Sequence, residues 1–528
     1  MHSPTFCLTF NVIGFPDTES NTFAVEINKK LHHLETSADT FPLWSANIAG
    51  VSASSGYRYV QLSKKKQVVS REAFQRHLAD KHAKVTPNEF FDRDNTITNI
   101  PAIEQVYEDT LAEPSKVFDS SQVATIHITV DPDTFADMLD NPMDDQRQAV
   151  DAGFRFINAD TIYSAANVKL KTSGHGSRKY QKVSLGIAFD VNKGETFFNR
   201  PIIKLRAEYP DKSMMHERLY VDILNSVGVP SYQASYVRVY VNGEPHGLYL
   251  MVEDIDVPYL MNTIHRGAIQ NKSELGSFFK MRSGDHATMK FKGKLSVDYK
   301  PETYQNKILG NNPPEEPMKQ FIAFMKAVRN WDPNSAGGID YWKQRMDLDG
   351  FLKAMAVEYL TGAWDNFWWR GNNYFMYFNP QLQVWQFLPT DFDNTFGTSV
   401  HKDVDTTYRN YGRFLREKKD NTPVVSKLIY LNKDINKYFE DILLTITKGV
   451  FNSKVLNPRI DAYMKQIEKD VDWDQTIDRS KRPGRVLDKT MDSFHQAVTG
   501  IGPLKSLPFG IKSWIAKRAK SVPEQLGQ

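Results

Sequence analysis

The chain has 528 residues, of which 24% are charged and 41% are hydrophobic, as is typical of folded globular proteins. A chain of this length exceeds what one hydrophobic core supports, so roughly two to four folding units are expected. The net charge of +3 excludes the strongly basic surfaces that bind nucleic acids or acidic membranes. The single cysteine, Cys7, excludes an intrachain disulfide.

The two ends of the chain predict neither export nor lipid anchoring. The N-terminal sequence MHSPTFCLTFNVIGF lacks a basic region followed by a long apolar segment, so no signal peptide is predicted. The C-terminal sequence VPEQLGQ is polar, so no lipid anchor is predicted. No apolar run approaches the length of a membrane span. We therefore expect a chain without a transmembrane segment. A cytoplasmic location is compatible with this expectation.

Residues 1–90 are predicted to form a small β-sandwich. Hydrophobic and polar residues alternate at Leu8–Val12, Thr22–Ile27 and Tyr57–Leu62, which is the period of half-buried strands. Short strands at such close spacing favour two packed sheets. Residues 91–122 are polar and contain several prolines, so they are predicted to be a linker.

Residues 123–256 are predicted to form a sheet with one helix inserted. The helix is expected to begin after Ser213 and to end at Gly228. The dipeptide Asn242-Gly243 predicts a two-residue hairpin. Strand patterns occur at Thr125–Val130, Phe154–Asn158, Ala166–Lys171, Val183–Phe189, Ile202–Ala207, Tyr236–Val241 and Leu248–Val252.

Residues 257–528 are predicted to be mainly helical. The stretch from residue 273 to residue 311 shows neither the helical nor the strand period of hydrophobic residues. It is expected to be an irregular segment that covers a cleft. Asp347 or Asp349 is expected to cap a helix that leads the chain to Asp365. Apolar residues at helical spacing occur at Met318–Val328, Leu348–Tyr359, Ile435–Ile446, Leu456–Ile467 and Ile511–Val522.

A β-hairpin is predicted in the middle of this helical region. Tyr374–Phe378 and Val384–Leu388 are alternating apolar segments joined by the turn signal Asn379-Pro380-Gln381. Two strands joined by so short a loop pair antiparallel, which brings their outer ends together. Residues just before the first strand should therefore meet residues just after the second.

The residues at that open end carry hard oxygen ligands. Asp365, Asn372 and Asn373 precede the first strand, and Asp391 and Asp393 follow the second. Mg²⁺ is held in proteins by one or two carboxylates together with substrate phosphates. Protein kinases place a catalytic Asp and Asn before a small hairpin and a metal-binding Asp after it. The stretch predicts a phosphoryl-transfer centre, although each aspartate by itself also suits a turn.

The same residues resemble the CotH family of spore coat kinases. The resemblance extends upstream through Lys182-Val183-Ser184 and the segments 204–219 and 242–253, so it covers roughly residues 120 to 450. The N-terminal module resembles that of the fungal, spore-surface branch of the family. The motif D-x(n)-N-Y-x-x-Y, a strand and P-x-D-x-D-x-x-x-G is matched by Asp365, Asn373, Tyr374, Tyr377, Pro389, Asp391, Asp393 and Gly397.

The resemblance implies an α+β protein with an atypical protein kinase-like, two-lobed fold after the sandwich. Residues 123–256 would be the small lobe, and residues 257–528 the helical large lobe that carries the catalytic hairpin. The implied activity is that of an ATP-dependent protein serine/threonine kinase with ATP and Mg²⁺ or Mn²⁺ as cofactors. Its substrates would be Ser/Thr-rich coat or surface proteins, and its implied location is extracellular or on the spore surface.

The resemblance also implies roles for single residues. Asp365 would be the catalytic residue, and Asn373, Asp391 and Asp393 would bind the metal. Lys182, held by Glu217 of the inserted helix, would bind the ATP phosphates.

Several alternatives stay open at the level of sequence. Asp365 and Asn373 are further apart than the corresponding kinase pair, so Asn372 is an alternative metal ligand. Lys204 and Glu208 are the alternatives to the predicted Lys-Glu pair. The segment from Ser173 to Lys179, which contains His175, is either a hairpin turn or a phosphate-covering loop.

A second class of function also fits the resemblance. The chain would then be a spore-surface adhesin or structural coat protein, a pseudokinase that binds a host-surface receptor or a coat partner. In the fungal relatives the adhesive segment resembles the stretch after the catalytic Asp. That stretch is here the apolar segment Asn372–Gln381.

Overall fold

A computed structural model describes residues 7–51, 54–80, 82–107, 115–145, 149–174, 176–282, 287–398, 422–486, 489–504 and 509–527. Helices and strands are both abundant, so the prediction of an α+β protein is confirmed. His175 of the predicted glycine-rich turn lies outside the described residues. Within the described ranges, no helix is both long enough and apolar enough to cross a lipid bilayer.

The N-terminal strands form two sheets that share one core. The order is β4-β1-β7 in one sheet and β3-β2-β5-β6 in the other. Phe10 of the first sheet and Phe23 and Tyr57 of the second belong to the same buried cluster, so the predicted N-terminal β module is confirmed. The strands are β1 Cys7–Ile13, β2 Thr22–Ile27, β3 Lys30–His33, β4 Leu43–Ala49, β5 Tyr57–Leu62, β6 Val68–Arg71 and β7 Glu89–Phe90.

The predicted linker is packed against the rest of the protein. The buried guanidinium of Arg93 donates hydrogen bonds to Asp470 Oδ1 at 2.9 Å and to the Gln466 carbonyl at 2.8 Å. Buried hydrogen bonds from a charged group order the segment that carries it. Arg93 therefore connects the N-terminal region to a helix near the other end of the chain.

Seven strands close into a barrel rather than an open sheet, in the order β10-β11-β12-β14-β13-β8-β9. Side chains that alternate along β11 and β12, such as Leu185, Ile187, Ile203 and Leu205, fill its interior. Asn242-Gly243 forms the predicted two-residue hairpin, with φ of 52° and 85°. The strands are β8 Ala124–Val130, β9 Val150–Ile157, β10 Ile162–Ser173, β11 Ser184–Phe189, β12 Ile202–Arg206, β13 Ala234–Val241 and β14 Glu244–Glu253.

A four-stranded sheet lies in the helical region, and half of it was not predicted. Its order is β16-β15-β17-β18, with β15 Phe278–Met281, β16 Tyr304–Ile308, β17 Tyr374–Asn379 and β18 Val384–Pro389. The stretch 273–311 is therefore not irregular throughout, because it supplies β15 and β16. These strands are four and five residues long, and β15 is stabilised by pairing with the distant β17.

Each predicted helical pattern lies in a helix, and Gly338–Lys343 and Met491–Thr499 are among the helices that were not predicted. Asp347 caps its helix by accepting a hydrogen bond from Gly350 N at 2.9 Å. The helices are α1 Pro132–Asp140, α2 His216–Ser226, α3 Val257–Tyr259, α4 Lys319–Asn330, α5 Gly338–Lys343, α6 Leu348–Thr361, α7 Phe367–Arg370, α8 Lys433–Gly449, α9 Ser453–Thr476, α10 Met491–Thr499 and α11 Ile511–Gln525.

Helix α2 lies between the barrel and the helical region and belongs to the core that both share. Its residues Leu219 and Ile223 are fully buried in the same cluster as Leu250 of β14 and Leu352 of α6. Asp211 and Ser213 satisfy the first amides of the helix, where Ser213 alone was expected to do so. The packing of α2 fixes the position of the barrel relative to the hairpin.

Candidate active site

The hairpin is formed as predicted and brings the two acidic loops together. Strands β17 and β18 pair antiparallel from Tyr374 opposite Pro389 onwards. At the open end, Thr390 N donates to the Asn373 carbonyl at 3.0 Å. Asn373 and Asp391 both have left-handed backbones, with φ of 56° and 63°. Left-handed non-glycine residues are held in place by their surroundings and cluster at functional sites.

Both predicted asparagines bind the Asp365 loop. The side-chain amide of Asn373 donates to the Asp365 carbonyl at 3.1 Å, and that of Asn372 donates to the same oxygen at 3.2 Å. Asn372 is buried, and its Oδ1 accepts no hydrogen bond within the described chain. The two side chains fix the loop that carries Asp365.

Helix α7 accounts for the long spacing between Asp365 and Asn373. Its four residues form one helical turn inside the loop. Phe367 and Trp368 of this turn are fully buried, so they pack the core. Glu358 of α6, also buried, accepts a hydrogen bond from Trp368 N at 2.8 Å. The extra residues therefore stabilise the loop.

Asn366 connects the two loops and was not predicted. Its side-chain amide donates to the Thr390 carbonyl at 2.9 Å and to the Asp391 carbonyl at 3.3 Å. The residue is fully buried. Its position next to Asp365 at the hairpin mouth was the only signal for this role in the sequence.

The guanidinium of Arg206, at the end of β12, contacts both acidic residues after the hairpin. Its Nη2 lies 2.6 Å from Asp391 Oδ1 and 3.0 Å from Asp393 Oδ2. Its Nε lies 2.6 Å from Glu217 Oε2 and 3.3 Å from Glu208 Oε1. One arginine therefore joins the barrel and α2 to the hairpin. Lys204 and Arg206 are two positions apart on β12, and this spacing was the sequence signal that could have identified Arg206.

The cluster around Arg206 holds four carboxyl groups and one guanidinium. Burial raises the pKa of Glu217 and Asp393 well above the usual values, although Arg206 acts in the opposite direction. Burial likewise raises the pKa of Glu208 to about 7. Asp391 is the most exposed of the four, with 38% of its side chain accessible. One guanidinium among four carboxyl groups leaves room for a further cation.

Asp365 lies beside this cluster. Burial, and after it the charge of Asp391, raise the pKa of Asp365 to about 6. Arg370 Nη1 lies 3.3 Å from its Oδ1, and Asn373 Nδ2 lies 3.4 Å from its Oδ2. A carboxylate with a pKa near 6 is a better proton acceptor than an ordinary aspartate and is still ionised at neutral pH.

Phe392, between the two aspartates, connects them to α2. Its ring stacks on Tyr220 with centroids 4.0 Å apart and also lies against Tyr232. The ring of His216, the first residue of α2, lies with Nδ1 3.2 Å from the Asp393 carbonyl. The position of the acidic residues is thus coupled to the position of α2.

The predicted pairing of Lys182 with Glu217 is not formed. Lys182 Nζ lies 3.0 Å from Oδ1 of Asp474, in the last turn of α9, and also donates to the Leu248 carbonyl at 2.5 Å. Glu217 pairs instead with Arg206. The prediction failed because Asp474 and Arg206 are brought to these positions by long-range packing. The alternative Glu208 does contact Arg206, whereas Lys204 pairs with Asp254.

The residues present fit a divalent cation bound together with a phosphate group. Carboxylate and amide oxygens are hard ligands of the kind that Mg²⁺ takes. In the described ranges, no three His, Cys, Asp or Glu side chains form a complete metal cage. A Mg²⁺ site needs only one or two carboxylates when substrate phosphates supply the remaining ligands. Asp391 and Asp393 meet that requirement.

The sequence is similar to known coat proteins and invasins. Spore coat protein homolog 1 of Rhizopus delemar is 26% identical over 98% of this chain and 82% of its own length. Invasin CotH3 of the same fungus is 25% identical over 98% of this chain and 84% of its own length. Inner spore coat protein H of Bacillus subtilis is 25% identical over 57% of this chain and 76% of its own length. The CotH kinase protein family matches residues 170–521, and the chain belongs to this family.

Proposed function

We propose that the protein is an atypical protein kinase that transfers the γ-phosphoryl group of ATP to serine or threonine hydroxyls of coat or surface proteins. One observation carries this proposal: Asp365 and Asp391 reach the open end of one hairpin from opposite sides, beside the Arg206 guanidinium. A proton acceptor, a metal-binding carboxylate and a fixed cation are the groups that phosphoryl transfer requires. Membership of a family described as kinases agrees with it.

Asp365 accepts or orients the proton of the incoming hydroxyl group. Its raised pKa, about 6, suits this role near neutral pH. The hydrogen bonds from Asn372 and Asn373 to its carbonyl hold the loop in place. Because positioning dominates catalysis in this class, loss of these contacts should lower turnover without removing the proton acceptor.

Asp391 and Asp393 would hold the divalent cation, with Asn373 as a further ligand. Arg206, fixed by Glu217, takes the place that the resemblance assigns to Lys182. When bound, Mg²⁺-ATP supplies the phosphoryl group and a positive charge that neutralises its oxygens. Arg206 adds a permanent positive charge, since a guanidinium stays protonated at any physiological pH.

The two-lobed arrangement of kinases is part of the proposal. The barrel and α2 would form the small lobe, and the helices around the hairpin the large one. Contacts from Arg206 to Asp391 and from Phe392 to Tyr220 cross between them. A spore-surface location is proposed from the coat proteins to which the chain is similar.

The test compares two aspartate variants in a phosphotransfer assay. Purified protein is incubated with labelled ATP, Mg²⁺ or Mn²⁺ and a serine-rich peptide. Asp391→Asn should reduce turnover by about 100-fold or more, because it removes charge where the cation binds. Asp441→Asn is the control, since Asp441 is exposed on α8 and its carboxylate forms an ion pair with Lys437. Equal turnover in the wild type and Asp391→Asn would exclude the proposal.

A second candidate function is a surface protein that binds a host or coat partner. Its support is that Invasin CotH3 is similar over nearly the whole of this chain. Strand β17 forms most of the segment Asn372–Gln381, which the resemblance relates to the adhesive segment of the fungal relatives. The strand lies between β15 and β18 and is largely buried, so it is not open to a partner. Absence of any Mg²⁺-ATP thermal shift, with saturable binding of the purified protein to host cells, would favour this function over the kinase.

A further inference from the structure

Two pairs of carboxyl groups contact the Arg206 guanidinium, each pair at a different edge. The Nε edge faces Glu217 of α2 and Glu208, while Nη2 contacts Asp391 and Asp393. A guanidinium has five donors in a rigid fork, so it can bind both pairs at once. A lysine ammonium is a compact point charge and cannot span both sets in this way.

The Glu217 end of this arrangement is rigid. Tyr232 donates a hydrogen bond to Glu217 Oε1, and the glutamate side chain is completely buried. The Asp391 end is looser, because Asp391 is more than one-third exposed. When a competing cation approaches from solvent, the contact to Asp391 is therefore the one that yields.

We propose that Arg206 is a positioning residue whose Nη2 is exchanged for the divalent cation at Asp391 and Asp393, so that α2 sets the metal affinity through Glu217. This inference rests on the proposed function and adds a regulatory route to it. The two oxygens within 3.0 Å of Nη2 are hard ligands of the kind that a divalent cation takes. Two cations that compete for the same oxygens also repel each other.

If the exchange occurs, removal of Arg206 should have opposite effects on metal affinity and on turnover. Removal of the guanidinium should strengthen metal binding, because the competitor is gone and the carboxylates repel one another. It should weaken turnover, because the fixed cation beside the phosphates is lost. A residue with a purely structural role would weaken both when it is removed.

The main experiment measures Mn²⁺ alone, by titration calorimetry and by the spin resonance signal of free Mn²⁺, without nucleotide. Arg206→Met should bind Mn²⁺ about tenfold more tightly than the wild type, and Arg206→Lys should lie between them. Glu217→Gln should bind Mn²⁺ several-fold more weakly, because a freed guanidinium holds Asp391 and Asp393 more strongly. Unchanged or weaker binding in Arg206→Met would overturn the proposal.

Two further variants make the result independent of folding defects. Arg206→Met with Glu217→Gln replaces both partners of the buried pair with neutral side chains of similar length, so neither partner is left unpaired. This variant should fold and still bind Mn²⁺ more tightly than Glu217→Gln alone. Arg200→Met is the matched control, because Arg200 lies two residues before β12 and pairs with Glu253. Its Mn²⁺ affinity should equal that of the wild type, and a change there would overturn the assignment to Arg206.

Failure of this inference can be distinguished from failure of the proposed function. If Asp391→Asn abolishes turnover but Arg206→Met binds Mn²⁺ no more tightly, the kinase stands and the exchange is overturned. If the wild type has no Mg²⁺-dependent turnover but Arg206→Met gains Mn²⁺ affinity, the exchange stands and the kinase proposal fails.

Discussion

The ammonium group of Lys182 lies 3.0 Å from Asp474 Oδ1, and both side chains are largely buried. Although burial raises the pKa of Asp474, the nearby charges of Lys182 and Arg479 lower it below its usual value. The pair joins the segment just before β11 to the last turn of α9. It therefore contributes to the contact between the barrel and the helical region.

Asp474→Asn should destabilise the fold by about 3–5 kcal/mol, because it leaves two buried cations without their carboxylate. Lys182→Met should cost less, since Asp474 keeps Arg479 at 2.8 Å and Leu248 N at 3.0 Å. Urea denaturation monitored by fluorescence measures both. Unchanged stability in Lys182→Met together with a large loss of ATP affinity would instead support the nucleotide role that the resemblance implies for Lys182.

The activity should depend on pH through Asp365. A proton acceptor must be ionised, so kcat should fall as the pH decreases through about 6, the pKa of this carboxyl. Asp365→Asn should lower kcat by about 100-fold or more. The measurement is a pH–rate profile from pH 5 to 8, with Asp441→Asn as the control. A flat profile in the wild type would exclude Asp365 as the acceptor.

Asn366→Ala should impair both the fold and the site. The variant leaves the Thr390 and Asp391 carbonyls without the amide that joins them. A loss of about 1–3 kcal/mol in the free energy of unfolding is expected. Turnover should fall about 10- to 100-fold, as is usual for residues that orient ligands. Asn334→Ala, at an exposed loop position, should change neither quantity.

Glu358 should make the stability of the protein depend on pH. Burial raises its pKa to about 8, although the Trp368 and Phe367 amides act in the opposite direction. Because the folded state disfavours the ionised form, stability is lost as the pH rises from the ordinary carboxyl pKa towards 8. Glu358→Gln carries no charge and keeps one acceptor oxygen for the Trp368 amide, the closer of the two. It should therefore be more stable than the wild type by about 1–3 kcal/mol at pH 8.

Thermal unfolding at pH 5 and pH 8 measures this effect. The wild type should lose more stability than Glu358→Gln between the two pH values. Glu302→Gln, at an exposed position in the described chain, is the control for the loss of a surface charge and should follow the wild type. The same pH dependence in Glu358→Gln and the wild type would contradict the assignment to Glu358.

Much of the fold was accessible from the sequence because the relevant signals are local. The alternation in β17 and β18, the Asn242-Gly243 turn and the Asp347 cap each involve residues within a few positions of one another. Strands β15 and β16 were missed because they are short and gain stability from a distant partner. Closure of the barrel was missed because strand order is set by long-range pairing.

For the candidate site, too, local sequence signals predicted one part and long-range packing decided the other. From the sequence alone it followed that Asp365 and Asp391 lie at the same end of one hairpin, because a short turn allows no other arrangement of two adjacent strands. Only the tertiary structure decided which cation stands beside them. Arg206 reaches Asp391 across 185 positions of chain, whereas Lys182 is held by Asp474. Ion pairs of this range depend on how α2 packs between the barrel and the helices, and no local pattern specifies that packing.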